Sequence, residues 1–216
     1  MTKLAIFDLD GTLLDTVKDL GNATNHALTE CGFPTHPIEA YYQMVGRGTY
    51  NLFRAAGQST EEVVQRMASI FIPYYDAHKC DFTRPYDGIP GMLKTITAAG
   101  VRLAVASNKY QDGAEKLVHH FFGEYDFVRI LGQREGQPIK PDPAIVDQIL
   151  AEVPSVTKSE TVYVGDSNVD MQTGLNAGVR TVGVSWGFRT REELAAYSPS
   201  AIVDTQEELS RVILGA

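Results

Sequence analysis

The sequence predicts an α/β protein, a parallel sheet interrupted by an inserted helical domain. Three observations lead there. Five short runs, Lys3–Phe7, Val101–Ala106, Phe127–Leu131, Thr161–Val164 and Arg180–Val184, are nearly continuous in apolar and β-branched residues, as parallel strands covered on both faces should be. Helical patterns separate the later runs. The first two runs stand far wider apart than the roughly 30 residues of a whole βαβ unit. A gap of that size is an inserted domain rather than a loop.

Lys3–Phe7 opens the sheet, and residues 15 to about 80 then show only helical spacing. Val17, Leu20, Thr24, Ala27 and Leu28 mark a first helix, stopped by Gly32 and Pro34. Ile38–Val45 is a second, ended by Gly46, and Tyr50–Ala56 a third, ended by Gly57. Ser59-Thr60-Glu61-Glu62 has capping-box spacing, and Val63, Val64, Met67, Ile70, Phe71 and Tyr74 continue one apolar face. Tyr41, Tyr42, Phe71, Tyr74 and Tyr75 read as bundle core. The chain crosses between insert and sheet near Leu13–Thr16 and Asp81–Gly88. The expected division is therefore a Rossmann-like core from 1–14 and 84–216, and an α-helical cap domain from 15–83. Gly91–Ala99, Asp112–Phe122 and Val169–Ala177 each end at a glycine, and a further helix runs from Asp142-Pro143 to Glu152. Ala201–Val203 adds an edge strand.

The chain has 216 residues, 19 basic and 27 acidic, for a net charge of −8. That acidic balance disfavours nucleic acid as a partner. It leaves room for a small phosphorylated ligand, because one local cation reverses the field in a cleft. No apolar run is long enough to span a bilayer, and the start reaches Asp8 too soon for a signal peptide. Cys31 and Cys80 suit neither a disulfide framework nor a zinc site, so a reducing, cytoplasmic setting is expected. A monomer or homodimer is expected.

In open α/β sheets, ligands bind beyond the carboxyl ends of the strands. There the sequence places Asp8-Leu9-Asp10-Gly11-Thr12, Ser107-Asn108-Lys109, Lys140, and Gly165-Asp166-Ser167-Asn168-Val169-Asp170. Asp8, Asp10, Asp166 and Asp170 are four carboxylates at one edge. Together they would raise one another's pKa values unless a hard cation such as Mg²⁺ sat among them. Ser107, with the backbone N–H groups near Leu9 and Asn108, can meet phosphoryl oxygens. Arg47, between Gly46 and Gly48, suits a second anionic group on a substrate and equally a solvated surface. Lys109 reads the same two ways.

These four motifs, in this order and spacing, resemble the haloacid dehalogenase superfamily of phosphohydrolases, and within it the phosphoglycolate phosphatase-like group with a helical cap. The resemblance implies that Asp8 attacks phosphorus to form an aspartyl phosphate and that Asp10 is the acid and base. It implies Mg²⁺ held by the Asp8 carboxylate, the Asp10 carbonyl and Asp166, with Lys140 neutralising charge and Asp170 supporting the shell. Thr12, Leu9, Ser107, Asn108, Lys109 and Arg47 are the expected substrate contacts. Asp at position 10 disfavours dehalogenase and phosphonate-cleaving chemistry within that superfamily. Two alternatives stand beside hydrolysis: a sugar phosphomutase of the β-phosphoglucomutase type, and a non-enzymatic receiver-like phospho-acceptor.

Overall fold

The computed structural model describes residues 1–58 and 60–215. Ser59, expected to open a capping box, lies outside them. The chain begins with β1 (Leu4–Phe7) and then pairs with its own return strand. β2 (Leu14–Asp15) lies antiparallel to β3 (Arg84–Pro85), with Leu14 opposite Pro85 and Asp15 opposite Arg84. All four cap helices lie between these strands: α1 (Val17–Glu30), α2 (Ile38–Met44), α3 (Thr49–Ala55) and α4 (Glu61–His78). After β3 follow α5 (Ile89–Ala98), β4 (Arg102–Tyr110), α6 (Gln111–Phe122), β5 (Phe127–Gln133) and α7 (Ala144–Glu152). The chain closes with β6 (Thr161–Gly165), α8 (Asn168–Ala177), β7 (Arg180–Val184), α9 (Arg191–Ala195), β8 (Ala201–Val203) and α10 (Gln206–Leu214).

The main sheet is parallel, in the order β5-β4-β1-β6-β7-β8. Alternate side chains of β1 serve opposite faces, as strand geometry requires. Ala5 and Phe7 join the core shared with Leu93, Leu117 and Leu209 of α5, α6 and α10. Leu4 and Ile6 join the core under Val146 and Ile149 of α7. Two covered faces explain why the run is apolar throughout. The cap has its own apolar cluster, built on Leu28, Tyr41, Phe53, Met67 and Phe71. From β1 the chain steps outward to β4 and β5, then returns to β6 on the other side. That reversal opens a crevice beyond the carboxyl end of β1.

The structure departs from expectation at four places. No strand is expected between residue 15 and about 80, but Asp15 pairs with Arg84, so the two crossings form one ribbon. Asp19 of α1 ties this ribbon to the cap, its carboxylate accepting from the Thr83 N–H and hydroxyl at 2.8 Å each. β4 continues past Ala106 through Tyr110 with irregular pairing, so Ser107, Asn108 and Lys109 sit within the strand's end. The α7 helix begins at Ala144, not Pro143; Asp142 Oδ1 accepts from the Ala144 N–H at 2.9 Å. Among the expected cap aromatics, Tyr41, Phe71 and Tyr75 are buried, whereas Tyr42 is 36% exposed.

Candidate active site

The end of β1 sets the first carboxylate. The Asp8 N–H still pairs with the Val164 carbonyl at 2.9 Å, so Asp8 sits where the sheet stops. Its Oδ1 accepts from the Leu9 N–H at 2.7 Å and lies 3.0 Å from Lys140 Nζ. Gly11 then turns the chain at φ 89°, and its N–H reaches the Leu14 carbonyl at 2.8 Å. A side chain at Gly11 would collide with the Asp166 carboxylate.

Lys140 is the hub. Its buried ammonium donates to Asp170 Oδ1 at 2.7 Å, the Ala106 carbonyl at 3.0 Å and Tyr163 Oη at 3.1 Å. Asn108 clamps the backbone of Lys140: its Oδ1 accepts from the Lys140 N–H at 2.9 Å, and its Nδ2 donates to the Lys140 carbonyl at 3.1 Å. Asp170 lies on the first turn of α8, where the Ser167 hydroxyl donates to its Oδ2 at 2.6 Å. Asp166 accepts from the Thr12 hydroxyl at 2.9 Å and the Phe188 N–H at 2.7 Å.

Asp8, Asp166 and Asp170 each offer an oxygen within 4.8 Å of the others, all buried. Burial, then Asp170, raises the Asp8 carboxyl to about 8 against the pull of Lys140. Burial and Asp170 likewise raise Asp166 to about 7, opposed by the Phe188 N–H and the Thr12 hydroxyl. Burial works against the Lys140 charge, but Asp170 and Asp8 outweigh it and hold that lysine well above its ordinary value.

Asp10 is held separately from these three. Its carboxylate does not join that cluster but pairs with the buried Lys109, at 2.9 and 3.1 Å. Lys109 Nζ also lies 4.7 Å from the ring centre of Tyr75 on α4. Fully ionised, the four carboxylates would exceed the two lysines by two negative charges, a match for one divalent cation. The all-oxygen donor set suits Mg²⁺.

The cleft floor is Asp8, Asp10 and Ser107, and the roof is Gly48, Leu52 and Phe71 of the cap. The free space is about 30 Å³, room for about two waters.

Other expected residues fall as follows. Ser107 lines the cleft, and its Oγ accepts from the Lys109 N–H at 3.2 Å. The Asn108 side chain is spent on Lys140 and on the cap carbonyl of Gly46, at 3.1 Å. The Thr12 hydroxyl and the Leu9 N–H are turned to Asp166 and Asp8. Arg47 is exposed and does not line the cleft; its flanking glycines do. A side chain at Gly48 would meet Gln133 Oε1 at 2.7 Å and the Asn108 carbonyl at 3.3 Å, so glycine there serves close approach of cap to core.

The loop after β7, where Trp186-Gly187-Phe188 suits either a cleft lining or a loop anchor, serves as an anchor. The Trp186 indole N–H holds the Thr12 carbonyl at 3.0 Å, and Phe188 supplies an N–H to Asp166. A side chain at Gly187 would overlap both Asp166 and the Gly11 carbonyl. Arg189 reaches into the cap, donating to the carbonyls of Tyr42, Gln43 and Val45.

Comparison with known proteins agrees with this geometry. The family profile for haloacid dehalogenase-like hydrolases matches residues 5–184. The phosphoglycolate phosphatase of Psychrobacter arcticus is 32% identical, over 99% of this chain and 96% of that one. That of Vibrio parahaemolyticus is 31% identical, over 98% and 96%. The crystal structure of a candidate phosphoglycolate phosphatase from Lactobacillus delbrueckii subsp. bulgaricus superposes with a TM-score of 0.91 at 34% identity, covering all of both chains. By the match of its sequence, its sheet and its carboxylate-lined crevice, the chain belongs to the haloacid dehalogenase-like hydrolases.

Proposed function

We propose that this hydrolase is a Mg²⁺-dependent phosphatase acting on a small phosphorylated metabolite of the phosphoglycolate type through an aspartyl phosphate. The observation that carries the reading is the pairing of two differently held carboxylates. Asp8 is fixed through Oδ1 by Lys140 and the Leu9 N–H, while Asp10, two residues on, is held apart by Lys109. The likeness to phosphoglycolate phosphatases supports the substrate class.

In this reading a carboxylate oxygen of Asp8 forms a bond to phosphorus as the ester P–O bond breaks. Asp10 gives its proton to the departing oxygen. Asp10 then takes a proton from water, whose oxygen attacks phosphorus and releases the Asp8 carboxylate. Lys140 balances charge on the transferring group, and Ser107 orients it. Asp8, Asp166 and the Asp10 carbonyl would hold Mg²⁺, with Asp170 beside them; when bound, the cation neutralises the phosphoryl oxygens. Lys109 positions Asp10 and presents positive charge to the substrate's far end.

The cap, taken as 15–83 on a core of 1–14 and 84–216, opens on the paired linkers to admit substrate. Among the described residues no helix is long and apolar enough to cross a membrane. Both cysteines are free, which suits a cytoplasmic setting. The test is phosphate release from a panel of phosphometabolites, including 2-phosphoglycolate, with and without Mg²⁺. Metal-dependent turnover is expected. Release that persists after chelation, or no release from any ester, overturns the proposal.

A further inference from the structure

We infer that Arg189 is a positioning residue: it seats the Gly46–Gly48 roof over the cleft and, through its neighbour Phe188, links that seat to the Asp166 carboxylate. The inference deepens the phosphatase reading and rests on it for its kinetic consequence.

Arg189 belongs to the core, in the loop after β7, yet its guanidinium works in the cap. It is 9% exposed, and among the described residues its partners are carbonyls rather than a carboxylate. One terminal nitrogen donates to the Tyr42 carbonyl. The other donates to the Val45 carbonyl at 3.0 Å and the Gln43 carbonyl at 3.3 Å. These acceptors lie in the last turn of α2 and at the residue that ends it, where helix carbonyls lack intrahelical donors. A cation is favoured there by the helix dipole. A planar fork of donors matches several carbonyls at once, which a single ammonium cannot do.

The chain that follows this turn is the cleft's roof. Gly46 and Gly48 adopt φ 113° and 86°, and both line the cleft beside Asp8 and Asp10. The Gly46 carbonyl is bound by Asn108, which in turn clamps Lys140. Fixing the end of α2 therefore fixes where the roof meets the catalytic floor. The residue before Arg189 faces the other way. The Phe188 N–H holds Asp166 Oδ2 at 2.7 Å, while its ring packs in the cap cluster, edge-on to Tyr42 at 5.6 Å. Two consecutive residues thus touch a candidate metal ligand and the cap. When the cap opens, the guanidinium gives up its carbonyls and the Phe188 ring leaves its cluster. Closure and the seating of Asp166 are coupled by one short piece of backbone.

The test uses the full chain with Arg189→Ala and Arg189→Lys, read by amide hydrogen exchange, by Mg²⁺ binding calorimetry, and by kinetics on 2-phosphoglycolate. Arg189→Ala is expected to speed exchange of the Val45 and Leu52 amides, which bond the Tyr41 and Gly48 carbonyls on either side of the roof, and to weaken Mg²⁺ binding. It should also raise KM about tenfold with a smaller change in kcat. Arg189→Lys should recover part of each. Unchanged exchange at Val45 and Leu52 in a folded Arg189→Ala protein overturns the inference, as does a lowered melting temperature with KM and Mg²⁺ affinity unmoved. Should Arg189→Ala fail to fold, the lysine variant decides by the same readouts. A wild-type protein that releases no phosphate fails the phosphatase reading, while exchange and Mg²⁺ affinity still judge the positioning role.

Discussion

Replacing Lys140 with methionine is the sharpest perturbation of the site's electrostatics. Methionine keeps much of the stem's length and removes the ammonium. Nothing else positive touches the Asp8, Asp166 and Asp170 cluster among the described residues, because Lys109 is engaged by Asp10. Two charge-assisted contacts are lost, at 2.7 Å to Asp170 and 3.0 Å to Asp8, with the bonds to Ala106 and Tyr163. Breaking a buried pair from one side costs about 3–5 kcal/mol, chiefly through the charges left behind. For a chain of this size each kcal/mol moves the melting temperature by about 2–4 °C. The metal-free variant should therefore melt about 6–20 °C below the wild type, and Mg²⁺ should recover part of that loss. The assay is thermal unfolding with and without Mg²⁺, run as a cycle with Asp170→Asn. The double variant should be more stable than the sum of single effects predicts, because removing Asp170 relieves the uncompensated charge. A drop under about 1 kcal/mol, or strict additivity, would refute the view that Lys140 holds this cluster together.

Other consequences follow from the same geometry. Burial raises Asp8 to about 8 and Asp166 to about 7, above the ordinary 3.8. The metal-free native state therefore binds protons that the unfolded chain has released, so its stability should fall as pH rises from about 4 through 8. Mg²⁺ should flatten that slope, and a metal-free melting temperature that climbs over this window would contradict it. Lys109→Met should lower kcat by about a hundredfold by releasing Asp10 from its partner, as measured by phosphate release. A rate within twofold of wild type would remove Lys109 from the account. Gly187→Ala should weaken Mg²⁺ binding in calorimetry, since the added methyl overlaps Asp166 and the Gly11 carbonyl. Unaltered affinity would show that this loop can yield.

The strands and the four motifs were legible because chemistry and burial leave strong marks. A doubly covered strand is apolar throughout, as β1 is, and phosphoryl chemistry at a sheet edge calls for acids and a lysine at strand ends. The β2–β3 ribbon was not legible, because two-residue strands are too short to show alternation. Arg47 suits a substrate contact and a solvated surface equally in the sequence, yet it is exposed, and Gly48 is there for close packing against Asn108 and Gln133. Nothing in the sequence tied Arg189 to the cap. Its partners are main-chain carbonyls of a helix end, which any sequence supplies. The α9 and α10 helices could have been found from Thr190 and Thr205, each three residues before a glutamate whose N–H it accepts.

In the proposed mechanism Asp8 carries the phosphoryl group. Wild-type protein mixed with 2-phosphoglycolate and Mg²⁺, quenched during turnover and reduced with borohydride, reports it directly, because an acyl phosphate is reduced where a free carboxylate is not. Peptide mass analysis should find homoserine at position 8, absent from Asp8→Asn and from samples without substrate. Phosphate release at full rate with position 8 never modified, or undiminished turnover by Asp8→Asn, would contradict the account.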